Sequence, residues 1–297
     1  MQRREMLKIT SAALFGLAGL PVRWAMAANQ HKPKVLYFTQ SAGYEHSVVC
    51  RQAGQPSHSE RVLAELGQRA GFEVQSSKDG RVFDGDLSRY DAIVFYTSGD
   101  LTGPNKDGTP PMSPQGKQRL LDAVAAGKGF VGFHAAADTF HSQGGRFEAQ
   151  SQPDPYIAML GGEAIAHGPQ QEVSLLLTSR FPGLRELGCA EGLSFYEEWY
   201  AMKHFAKDLH VTLLIETEGM EGDCYRRPPY PAAWARMHGR GRVFYTCLGH
   251  REDVWTNPFF QSIALGGLAW AMGAVEADVK PNLDKIAPHA NELRAKP

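Results

Sequence analysis

Between Lys34 and Phe133 the sequence alternates short β-rich runs with capped amphipathic segments, and that rhythm leaves few folds open. The runs 34–39, 72–76, 90–97 and 129–133 read as strands, and 93–96 and 129–133 are almost wholly apolar, as parallel strands covered on both faces should be. Two helices with marked ends lie between them. Ser57 and Glu60 form a capping box ahead of Leu63, Leu66 and Ala70, with Gly71 placed to stop the helix. Ser113 and Pro114 open a second helix, with Leu120, Leu121 and Val124 facing inward and Gly127 closing it. Strand, helix and strand at this spacing predict an α/β fold, a doubly wound, mostly parallel sheet of the flavodoxin-like kind with 34–39 as its first, central strand.

Ligands of such sheets bind beyond the carboxyl ends of the strands. The run 129–133 stops at His134 and enters Ala135-Ala136-Ala137-Asp138, the composition of a tight strand-to-helix turn, so His134 and Asp138 are expected to face a crevice. His46, in the loop that also holds Tyr44, and His250, after Gly249, follow other strands, and His167 stands beside turn residues. Strands are also expected at 172–178 and 211–216. Between them Phe195-Tyr196-Glu197-Glu198-Trp199-Tyr200 sets two acids among four aromatics; on an extended segment one acid faces inward and its neighbour faces water.

The remainder is read from its breakers. Residues 98–111 form a long loop over the carboxyl edge, a lid by position. Asp154-Pro155 opens a short helix that Gly161-Gly162 stops, and 232–237 and 242–248 flank a glycine-containing turn, which predicts an added β-hairpin late in the chain. Asn257-Pro258 opens a last helix ended by Gly273, and 276–297 is expected to be a loosely packed polar tail.

Composition removes some function classes. With 31 Lys and Arg against 32 Asp and Glu, scattered along the chain, there is no basic stripe for nucleic acid. At the N-terminus Arg3-Arg4, an apolar run over 9–22 and Ala25-Met26-Ala27 predict a twin-arginine signal peptide over 1–27, with cleavage after Ala27 and a folded protein delivered to the periplasm or the medium, free of the membrane. Residues 28–275 are then one domain. Cys50, Cys189, Cys224 and Cys247 show no metal-type spacing and are compatible with one disulfide.

Five ordered motifs resemble the trehalose-utilisation, ThuA-like family: 129–140, Gly161-Gly162 with Ala166-His167-Gly168-Pro169, Glu197-Glu198-Trp199-Tyr200, Ala233-Trp234, and 241–246 through Gly249-His250. The resemblance implies a class I glutamine amidotransferase-like fold. Amidotransferases use a cysteine on a strand-to-helix elbow with a His-x-Glu pair after a late strand. Here His250 and Glu252 keep that spacing, yet the elbow at His134 carries no cysteine, so the covalent step is lost and glutamine amidotransfer is excluded.

The resemblance further implies action on trehalose-like glycosides or 3-keto-disaccharides, by a lyase or hydrolase with acid/base or metal-assisted chemistry. A C3 ketone acidifies the C2 proton, so a base can remove it and the glycosidic bond can leave. On that reading His134 or His250 is base or metal ligand, Glu197 or Glu198 is acid or ligand, and Asp138 orients its neighbours. His46, His134, His167 and His250 are the candidate ligands of one divalent transition metal, with no nucleotide cofactor expected. Tyr44, His46, Trp199, Tyr200 and Trp234 are the candidate substrate-binding residues, the aromatics stacking on a sugar ring. The alternative is a non-catalytic sugar-binding protein that kept the crevice without a nucleophile.

Overall fold

The computed structural model describes residues 32–187 and 192–293; the predicted signal peptide and Cys189 lie outside the described residues. β1 (Lys34–Phe38) leads through a loop to α1 (His58–Ala70), then β2 (Glu73–Ser77), β3 (Ala92–Phe95), α2 (Pro114–Ala125) and β4 (Gly129–Phe133). The helix signals act as written. The Ser57 side chain accepts from the Glu60 N–H while the Glu60 carboxylate accepts from the Ser57 N–H, and Gly71 ends α1 in the left-handed conformation.

The second half supplies α3 (Pro155–Leu160), β5 (Glu163–His167), β6 (Gln171–Leu177), β7 (Gly192–Glu197), β8 (Tyr200–Lys203), β9 (His210–Ile215), β10 (Tyr230–His238), β11 (Gly241–Thr246), α4 (Glu252–Thr256), α5 (Pro258–Ala271) and α6 (Leu283–Ile286). One sheet runs in the order β2-β1-β3-β4-β11-β10-β9-β6-β7, and β5 pairs with β8 in a separate antiparallel ribbon. Pairing is parallel from β2 to β11 and antiparallel from β11 to β7. Strand β1 therefore lies second from one edge rather than at the centre. The late hairpin forms as expected, and its second strand, β11, sits between β4 and β10 in the body of the sheet. Helices α1, α4 and α5 pack together, as do α2 and α3, giving the two covering layers of a doubly wound fold.

Two segments are better tethered than their composition suggests. The 98–111 loop is held in this conformation by the Lys106 N–H donating to the Ser41 carbonyl at 2.7 Å and by a buried Lys78–Asp107 pair. The C-terminal stretch docks along β9: Asn282 exchanges hydrogen bonds with the Val211 backbone, Asn291 does so with that of Phe205, and Leu283, Ala287 and Ala290 are buried. Polar side chains that satisfy backbone groups make a polar tail well packed.

Candidate functional site

The parallel strands end at one edge, and the segments after four of them carry polar residues there. His46 follows β1, Tyr96 follows β3, His134 follows β4, and Cys247 to His250 follow β11. These strands are neighbours in the sheet, so residues far apart in sequence meet. His134 stands at φ 41°, a left-handed conformation rare for a residue with a Cβ, at the elbow between β4 and a 3-10 turn over His134–Asp138. Gly249, at φ 119°, provides the turn that aims His250 back over the edge.

Glu198 enters from the break between β7 and β8 and completes the group. One nitrogen from each of His46, His134 and His250 and one carboxylate oxygen of Glu198 lie within 4.8 Å of one another. Nδ1 of His250 is 3.2 Å from Nε2 of His134 and 3.3 Å from Oε1 of Glu198; Nε2 of His134 is 3.5 Å from the same oxygen. The His46 ring stands edge-on to those of His134 and His250, at 5.0 and 5.1 Å between centres.

Three features suit this set to a divalent transition metal. Ligands about 2.1 Å from such an ion are about 3.0 to 3.4 Å apart in octahedral or tetrahedral arrangement, close to the spacings given above. Nδ1 of His134 lies 2.8 Å from the Cys247 carbonyl oxygen, which can only accept, so Nδ1 carries the proton and Nε2 turns a lone pair to the centre. Burial, reinforced by His134 and His250, lowers His46 to about 2, which keeps its ring neutral. Burial works against the Glu198 carboxylate, but His134 and His250 beside it outweigh burial and shift the group well below the carboxylate range.

Several expectations require correction. Glu197 and Glu198 both turn inward, because β7 ends at Glu197 and the alternation stops there. Glu197 is fully buried and binds backbone: Oε1 accepts the N–H groups of Gly249 and His250, each at 2.7 Å, and Oε2 accepts the Glu198 N–H at 2.9 Å. It positions two members of the cluster and touches no open space. Trp199 and Trp234 are fully buried, their indole N–H groups donating to the carbonyls of Gln171 and Leu160, so neither is a sugar platform. His134 is itself fully buried. Asp138 does not pair with His134 but with His141, at 2.9 Å. Glu252 is exposed, and the acid beside His250 is Glu198, so the His-x-Glu spacing carries no pairing.

Other candidates surround the cluster. His167, half exposed, places Nδ1 3.3 Å from the second oxygen of Glu198. Tyr200 stacks on His134 at 4.6 Å, and Tyr44, 68% exposed, packs edge-on against His46 at the rim. Cys50, Cys224 and Cys247 are free thiols.

Sequence reasoning passed over three contributors. The Tyr96 hydroxyl is buried without a hydrogen-bond partner among the described residues, and its ring centre is 5.4 Å from that of His46; its signal was its place at a strand end, masked by apolar neighbours. Gln170 meets Nε2 of His250 at 2.9 Å and accepts from Arg251 at 2.8 Å. The Cys247 carbonyl is a backbone group and leaves no mark in a sequence.

With this geometry in place, the comparisons identify the class. The ThuA family model, described as trehalose utilisation, matches residues 34–271, and the chain belongs to that family. No curated protein matches. Among solved structures, a ThuA-like protein from Bacteroides uniformis ATCC 8492 is similar at TM-score 0.58 and 18% identity, over 85% of this chain and 95% of that one. One from Parabacteroides merdae ATCC 43184 gives TM-score 0.54 and 22% identity, over 84% and 93%. These neighbours share the fold.

Proposed function

We propose that this ThuA-family protein is a carbohydrate-active lyase or hydrolase that cleaves trehalose-like glycosides or 3-keto-disaccharides at a divalent metal site formed by His46, His134, His250 and Glu198. The observation that carries the reading is the convergence of three imidazole nitrogens and one carboxylate oxygen within 4.8 Å at the carboxyl edge of the sheet. The family's description, trehalose utilisation, supports the substrate class. The metal, when bound, supplies positive charge toward a substrate carbonyl or leaving oxygen.

The remaining steps belong to the chain's own residues. His167, half exposed and with Nδ1 3.3 Å from Glu198, takes a proton from the carbon next to a ketone. The electron pair left at that carbon forms the double bond as the glycosidic C–O bond breaks, and the departing oxygen receives a proton. Tyr200 holds the His134 ring, and Glu197 holds the His250 turn. The Arg3-Arg4 pattern and the Ala25-Met26-Ala27 site support export, which N-terminal sequencing of mature protein starting at Ala28 would test.

The test of function joins two measurements on protein purified without added metal or a histidine tag. Mass spectrometry should find near-stoichiometric metal, and 3-keto-trehalose should be turned over. Protein that carries no metal and binds trehalose without turnover would replace the proposal with the sugar-binding reading.

A further inference from the structure

Beside the metal cluster lies a second group of charged side chains that the proposed chemistry does not use. His141 sits between two carboxylates, its Nε2 2.9 Å from Asp138 and its Nδ1 3.2 Å from Glu163. Glu163 is buried and further held by Ser142, whose N–H and hydroxyl donate to it at 3.1 and 2.6 Å. Both nitrogens of His141 therefore have a carboxylate oxygen within reach, and the Arg146 guanidinium also comes to 3.2 Å from Nε2. The orientation of His141 fixes one oxygen of Asp138; the other accepts no hydrogen bond among the described residues.

One further group completes the cluster. Arg146, with its side chain 56% exposed, reaches over it to lie 3.2 Å from Nε2 of His141, 3.6 Å from Asp138 and 3.3 Å from the Ile165 carbonyl.

From this geometry we infer that Asp138 and Arg146 form a hydroxyl-recognition subsite, next to the metal cluster, that grips the diol of a second sugar ring. A carboxylate oxygen accepts from two adjacent hydroxyls and a guanidinium donates to their oxygens, which is the donor and acceptor mix a vicinal diol requires. The buried Glu163–His141 pair positions Asp138 and lends it rigidity. This inference rests on the carbohydrate reading and adds to it where the second ring of a disaccharide sits, over Asp138, with the first over the metal cluster.

The test uses the full protein and two probes, 3-keto-trehalose and methyl 3-keto-glucoside, with Asp138→Asn and Arg146→Ala. Hydrogen bonds to charged groups predict a rise in KM for the disaccharide of about tenfold or more in each variant. The kcat, the metal content and the KM for the methyl glucoside should change little. Arg146 is exposed, so its variant folds and keeps the test sound if Asp138→Asn does not. Unchanged KM for the disaccharide in an active Arg146→Ala protein overturns the subsite alone. Parent protein that holds metal and processes neither probe overturns the functional reading and the subsite with it.

Discussion

Glu197 reaches His250 through the main chain: its buried carboxylate accepts the His250 N–H at 2.7 Å, and its other oxygen accepts the Glu198 N–H at 2.9 Å. One side chain thus fixes the origins of two candidate ligands that approach the centre from different strands.

Replacing Glu197 by Gln should test that role. The amide keeps one acceptor and turns an NH2 toward a backbone N–H, leaving at least one buried donor unsatisfied at a cost of about 1–3 kcal/mol. The denaturation midpoint should drop accordingly, and metal affinity should fall by about 10–100-fold. A variant with parental stability and metal content would show that the turn holds itself.

Ligands and proton carriers should separate on mutation. His134→Ala and His250→Ala should lose bound metal, whereas His167→Ala should retain it and lose turnover by about 10²-fold or more. Elemental analysis beside kinetics on 3-keto-trehalose distinguishes them. Metal lost from the His167 variant would move that residue into the ligand set.

Stability should depend on pH through His141. Burial opposes its charge, but hydrogen bonds to Asp138 and Glu163 prevail and raise it from 6.5 to about 9. The folded chain holds this proton more tightly than the unfolded one, so the contribution is complete below pH 6.5 and is lost as the pH climbs through about 9. Glu163 is shifted the other way: burial would raise it, but hydrogen bonds from His141 and Ser142 lower it, so its contribution is present above its ordinary value near pH 4.5 and is lost on acidification. Tm of the parent should decline between pH 6.5 and 9 more steeply than that of His141→Gln. Parallel curves would remove His141 as the source.

The aromatics should divide into core and rim. Trp234→Ala should cost about 3–5 kcal/mol, since the ring is buried against Tyr245 with centres 4.4 Å apart. Tyr44→Ala should stay within about 0.5 kcal/mol of the parent in stability while weakening binding of trehalose, as read by calorimetry. Equal effects of both on sugar affinity, at equal stability, would contradict their placement.

Much of the fold was legible where local chemistry decides it. The Ser57–Glu60 capping box, the Pro114 and Pro258 helix starts and the buried run at Gly129–Phe133 declare themselves within a few residues. The ordering of β6, β7 and β9 did not, because it is set by pairing across long separations. The site divides in the same way. Histidines at strand ends were visible as such, and the parallel sheet brings three of them together. Whether an acid binds substrate or backbone, or an indole meets sugar or a carbonyl, depends on which neighbours the distant strands supply. Glu197, Trp199 and Trp234 were misread for that reason, and Asp138 found its partner in His141.

The union of His134 with His250 spans 116 residues of chain. Such a contact has a high entropic cost of closure, so it belongs to the late stage of folding, after β11 has entered beside β4. A nascent or partly folded chain would therefore offer only isolated imidazoles with little hold on an ion. Capture of metal would then report that the chain has finished folding, and it would pull the equilibrium toward the native state by mass action.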